Sequence, residues 1–196
     1  MNRIAPRLAA LALASLPLVT LAHTGGDGGS HHGFVDGLSH PFTGLDHLAA
    51  MLAVGYWSAL TARRIWVAPL AFALCLAVGA GLGLGGIELP AIEPMIAVSL
   101  LVLGLLAATR ASLPAWADGA LVGAFALFHG LAHGLELAGS GTVAPLLGML
   151  LGTLVLHTVG LLVGRLSRER NPWWPRLTGG AVAAFGAVLL LPMVAG

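Results

Sequence analysis

Two imidazoles and a carboxylate share one face of an otherwise apolar helix. They lie in Phe128-His129-Gly130-Leu131-Ala132-His133-Gly134-Leu135-Glu136, at spacing i, i+4, i+7. At about 100° per residue, His129, His133 and Glu136 fall within a wedge of roughly 60°. Groups so costly to bury need a partner. Neutral imidazole plus carboxylate, with no thiolate, suits borderline divalent cations such as Ni²⁺, Co²⁺, Zn²⁺ or Cu²⁺. The other reading of the wedge is a closed structural network of polar groups.

A second group stands earlier in the chain. His40 and Pro41 precede Asp46 and His47, which open an apolar segment, and Met51 lies one turn further on the face of His47. Asp46 has two readings that do not exclude each other: metal ligand, or carboxylate satisfying free amides at a helix start. Glu88 and Glu93 lie in and just after a later loop, and Glu93 is either an extra oxygen ligand or a favourable first-turn acid. Met51 reads first as core. His157, within another apolar run, reads first as an ordinary hydrogen-bonded buried histidine and second as an onward station for an ion. Asp118 and Glu169 read as unexceptional acids.

The elements that must position these residues are membrane helices. The 196 residues are 58% hydrophobic and 9% charged, against about 25% charged for a soluble domain. Six apolar segments are read at about 44–60, 66–84, 92–108, 117–138, 143–164 and 177–194. Each is a helix that spans or nearly spans about 30 Å of hydrocarbon, where only internally bonded backbone survives. The expected fold class is thus an all-α integral membrane protein with a six-helix transmembrane bundle. Glycines on these segments, such as Gly148 and Gly152 or Gly160 and Gly164, read as close-packing devices. Those beside His129 and His133 leave room for a ligand or a second helix.

Residues 1–22 read as a cleaved signal peptide. Arg3 and Arg7 precede a short apolar run, and Thr20-Leu21-Ala22 offers small residues at a cleavage site. Residues 23–43 form a His/Gly-rich segment outside the membrane, with 44–196 the transmembrane domain. His23, His31, His32 and Asp36 make that segment a possible metal collector or simply a linker, and Phe34 to Leu38 a short interfacial turn.

Every basic residue is Arg. Arg63 and Arg64, Arg110, and the group Arg165, Arg168, Arg170 and Arg176 fall in alternate loops, hence on one side, which the positive-inside rule makes cytoplasmic. Both mature termini are then periplasmic, as a cleaved signal requires, and the protein sits in the bacterial inner membrane. Trp66, Trp116, Trp173 and Trp174 near those ends suit an interfacial belt. Without Arg3 and Arg7, seven arginines face eight acids, which leaves no footprint for nucleic acid. The single Cys75 permits no internal disulfide.

The two motifs together resemble the HupE/UreJ family of nickel (and cobalt) permeases. His40-Pro41-Phe42-Thr43-Gly44-Leu45-Asp46-His47 matches its His-x5-Asp-His pattern. The Phe128 to Glu136 stretch is similar to its Phe-His-Gly-x-Ala-His-Gly-x-Glu. The signal peptide, the six spans and the acidic loop also match. The resemblance implies a non-enzymatic secondary permease that takes up Ni²⁺ or Co²⁺ for nickel enzymes such as hydrogenase or urease. Its ligands would be His40, Asp46, His47, His129, His133, Glu136 and Glu93, with His23, His31, His32, Asp36 and His157 as secondary contacts. It implies no tightly bound cofactor, and oligomeric state is unwritten. No P-loop is present, so the chain does not itself hydrolyse ATP. Two rivals stand beside this reading: an intramembrane metal hydrolase, which would lack the usual His-Glu-x-x-His, and an accessory protein that binds metal without carrying it.

Overall fold

The computed structural model of the chain describes residues 33–137, 143–171 and 173–195. The expected signal segment and His23, His31 and His32 lie outside the described residues. All regular structure among the described residues is helical, in seven helices: α1 (Phe34–Thr43), α2 (Leu45–Thr61), α3 (Val67–Leu84), α4 (Ile92–Thr109), α5 (Ala115–Glu136), α6 (Val143–Arg170) and α7 (Trp173–Ala195). By length and composition, α3 to α7 can each cross a membrane. At 17 residues, α2 is shorter.

Local chemistry sets the helix ends. In α3, α4, α6 and α7 the third residue is proline (Pro69, Pro94, Pro145, Pro175). First-turn amides have no intrahelical acceptor, so proline loses nothing there. Both ends of α4 stop on a non-glycine residue in the left-handed region, Ala91 at φ 65° and Arg110 at φ 52°.

Residues 34–43 correct the expected interfacial turn. They form a ten-residue helix that runs through Pro41 and ends at the extended Gly44. Packing explains it. Gly37 and Pro41 are buried, and a Cβ on Gly37 would overlap the Pro145 carbonyl of α6. Two further boundaries move outward: α6 continues past 164 to Arg170, and α7 starts at Trp173 instead of 177.

Glycines pair the helices. A Cβ on Gly79 would overlap the Leu127 carbonyl, and one on Gly130 the Leu76 carbonyl, so α3 and α5 run side by side at backbone contact. Gly55 and Gly160 do the same for α2 and α6, and Gly104 and Gly179 for α4 and α7. The room beside His129 and His133 is therefore taken by a second helix, α3. These contacts place the starts of α2 and α6 with the ends of α3 and α5 at one end of the bundle, the histidine end. The loops that carry Arg63, Arg64 and Arg110 lie at the other. Trp57 on α2 donates its indole N–H to the Ala111 carbonyl there, at 2.8 Å. Trp66, Trp116, Trp173 and Trp174 are all exposed near that arginine end.

Candidate metal site

The break at Gly44 is what brings the two sequence motifs together. It turns the chain between α1 and α2, so that His40 and His47 approach α5 from different directions. His40 Nε2, His133 Nδ1 and Glu136 Oε2 then converge. The three separations are 2.9 Å (His40 to His133), 3.2 Å (His40 to Glu136) and 3.4 Å (His133 to Glu136). Ligands about 2.1 Å from a common cation lie about 2.9 Å apart in octahedral geometry and about 3.4 Å apart in tetrahedral geometry. The triangle therefore has the dimensions of one face of a transition-metal coordination shell. Among the described residues it is the group of three metal-binding side chains whose ligand atoms all lie within 4.8 Å. Its His40 and Glu136 edge is partly open, with side chains 30% and 37% exposed, while His133 is buried at 1%.

Behind the triangle the imidazoles form a file. His133 packs on His47 with ring centroids 4.3 Å apart, and His47 on His129 at 4.8 Å. Phe72 of α3 follows, 5.5 Å from His129 and 5.0 Å from His157, and so separates these two rings. Exposure is nil at His129, His157 and Phe72.

Each buried ring is held through one nitrogen. His47 Nδ1 faces Asp46 Oδ1 at 3.0 Å, and that oxygen also accepts the His47 amide at 2.8 Å. His157 Nδ1–H donates to the Met51 carbonyl at 2.8 Å. Ser99 gives its own proton to the Ile96 carbonyl at 2.6 Å, so its oxygen accepts from His129 Nε2 at 3.0 Å. The second nitrogens, His47 Nε2, His129 Nδ1, His133 Nε2 and His157 Nε2, are buried without a partner. For His47, His129 and His157 the fixed tautomer makes that nitrogen a bare lone pair. Where Glu136 accepts the Nδ1 proton, His133 joins them. Acceptors that fix the tautomer and leave the far nitrogen free are the outer-shell arrangement of metal-binding histidines. An unsatisfied buried polar atom costs about 1–3 kcal/mol, so these nitrogens are disposed to accept a ligand.

The structure thus joins His40, His133 and Glu136 into one group, and sets Asp46 as the orienting carboxylate of His47. Asp46 accepts an amide in the first turn of α2, which is the second of its two expected roles. Met51 is fully buried core, and its backbone carbonyl anchors His157. Glu93 is exposed in the first turn of α4, and among the described residues no hydrogen bond or ion pair joins it to the file. Asp36 is also exposed and is not one of the three grouped ligands. Two contributors were missed. Ser99 and Phe72 carry no spacing signal, because a serine or phenylalanine inside an apolar helix is unremarkable until its neighbour is known.

The family described as HupE / UreJ protein matches residues 11–189. Protein HupE of Rhizobium leguminosarum bv. viciae is 41% identical over 193 residues, covering 97% of this chain and 98% of its own. No solved structure matches the chain.

Proposed function

Because this chain belongs to the HupE / UreJ family, we propose that it is a secondary permease that carries Ni²⁺, with Co²⁺ as the nearest alternative, to supply nickel enzymes such as hydrogenase or urease. It is a transporter and not an enzyme, and it holds no metal tightly. The observation that carries the reading is the file of buried imidazoles, each with one nitrogen anchored and the other bare.

The path follows from exposure and ligand type. The half-open triangle of His40, His133 and Glu136 replaces part of the hydration shell. His133 lies at the junction. Its Nδ1 faces the triangle and its Nε2 faces inward, so moving its proton from one nitrogen to the other turns its lone pair from entrance to interior. His47, oriented by Asp46, and His129, oriented by Ser99, present the next nitrogens. Phe72 separates these from His157, so passage to the last ring requires the aromatic side chain to give way. Such a sequence binds well enough to strip water and weakly enough at each step to release.

In this reading residues 1–22 are a cleaved signal peptide, α2 to α7 are the six spans, and the histidine end faces the periplasm of a bacterial inner membrane. His23, His31 and His32 collect metal outside, and Glu93 guides cations toward the mouth through charge alone.

The test is uptake of radioactive nickel by cells lacking their own nickel transporters, with Co²⁺ and Zn²⁺ as competitors, repeated in liposomes with purified protein. Time-dependent accumulation that cobalt inhibits is expected. Equilibrium binding without accumulation would replace the permease by a metal-binding accessory protein. Metal retained stoichiometrically through purification would favour a metal hydrolase.

A further inference from the structure

The file of histidines ends in the middle of the bundle, yet the polar groups continue toward the arginine end. Asp118, in the first turn of α5, is 4% exposed, and its Oδ1 is buried without a partner. Ser58, near the end of α2, is 1% exposed, and its hydroxyl oxygen is also buried without a partner. We propose that Asp118 and Ser58 form a second cation station at the arginine end, where a divalent metal ion leaving the histidines is taken by oxygen ligands and water before release. This deepens the permease reading and rests on it.

Register places the two residues at similar depth in the bundle. Asp118, Val122, Phe125, His129 and Glu136 recur at intervals of 4, 3, 4 and 7, so they lie within about 60° on one face of α5. On α2, His47, Met51, Val54 and Ser58 recur at intervals of 4, 3 and 4 and share one face in the same way, all buried. The two faces meet at the histidine end, where the His47 ring lies against both His129 and His133. That contact sets the start of α2 level with the region of Leu131. From there Ser58 is eleven residues along α2, about 16 Å, and Asp118 is thirteen residues back along α5, about 20 Å. Two antiparallel helices therefore bring the carboxylate and the hydroxyl to within about one helical turn of the same depth.

Among the described residues, neither Asp118 Oδ1 nor the Ser58 hydroxyl is taken up by a hydrogen bond. A serine inside a helix usually gives its proton to the carbonyl one turn earlier. Thr61, Thr109 and Thr158 do so here, whereas Ser58 and Thr153 do not. Among the described residues no ion pair or hydrogen bond takes up Asp118 Oδ1. Ligand character also changes along the path, from imidazole nitrogen to hard oxygen. Oxygen ligands suit Ni²⁺ or Co²⁺ less well than imidazole does, so the last site is the weakest, as release requires.

Two measurements with Ni²⁺ decide the matter. In a Cys75→Ala background, Asp118→Cys is treated with a water-soluble methanethiosulfonate reagent in reconstituted bilayers, with Arg63→Cys in the exposed loop at the arginine end as control. Ni²⁺ is expected to slow modification at 118 at least about fivefold and to leave position 63 unchanged. Asp118→Asn is expected to lower initial nickel uptake about tenfold or more while equilibrium nickel binding to the histidines is kept, and Asp118→Glu to recover most of the rate. Should the Asn variant fail to insert, Ser58→Ala carries the uptake test, with an expected loss of a few fold. No protection at 118, or wild-type uptake in both Asp118→Asn and Ser58→Ala, overturns the second station and leaves the permease standing. If the unmodified protein accumulates no nickel, the permease reading falls instead, and protection at 118 still decides whether the site binds metal.

Discussion

Helix α2 borders two spaces of opposite character. Its His47, Met51, Val54 and Ser58 face α5 across a tightly filled interior where imidazoles touch ring to ring. Roughly half a turn around the same helix, Leu45, Leu48, Ala49, Leu52 and Tyr56 border a half-open groove of about 510 Å³, lined on its other sides by residues such as Gly104, Val182 and Phe185. The larger space is apolar and the small one is polar. Size is thus a poor guide to the site here. An apolar void gives a metal ion nothing in exchange for its water, whereas four bare nitrogens do.

That contrast can be broken at several strengths. His133→Ala removes the residue shared by triangle and file, and nickel uptake is expected to fall at least about 100-fold, beyond the usual effect of losing an outer-shell partner. Ser99→Ala removes only the acceptor that fixes His129, and a fall of about tenfold in uptake or nickel affinity is expected, read by titrating the purified protein. Gly130→Ala tests the packing beneath the site. Its new methyl meets the α3 backbone, so a loss of about 1–3 kcal/mol in stability is expected, measured as a lower Tm in detergent. Acid should weaken binding reversibly. Protons and metal compete for the same lone pairs, so nickel affinity is expected to fall on acidification and to recover on neutralisation. Filling the groove with Ala49→Leu should leave uptake unchanged. A large loss there would mean that the apolar space takes part in transport.

Much of this was legible in the chain. The apolar runs predict all-helical spans, and five helices have the expected length and apolarity. The spacing of His129, His133 and Glu136 places them on one helix face, and two of the three meet His40. What could not be read depends on contacts between distant segments. Ser99 and Phe72 gain meaning only from His129 and His157. Asp118 looks like a favourable first-turn acid until its burial is known. Helix α1 also escaped, since a ten-residue Gly- and Pro-containing stretch lacks the propensity to stand alone and is held by α6. Glu93 shows the reverse: its charge and position match the resemblance, yet the structure leaves it exposed.

The glycine contacts have a mechanical consequence. Where backbones touch, two helices cannot slide past one another without collision, so α3 with α5, α2 with α6 and α4 with α7 each behave as a welded beam. His129 and His133 ride on one beam, and His47 and His157 on another. Any rocking between them would draw the rings apart or together along the whole file at once. Helix α1 packs on α6 in the same way, so His40 rides with His47 and the mouth would open between His40 and the pair His133 and Glu136.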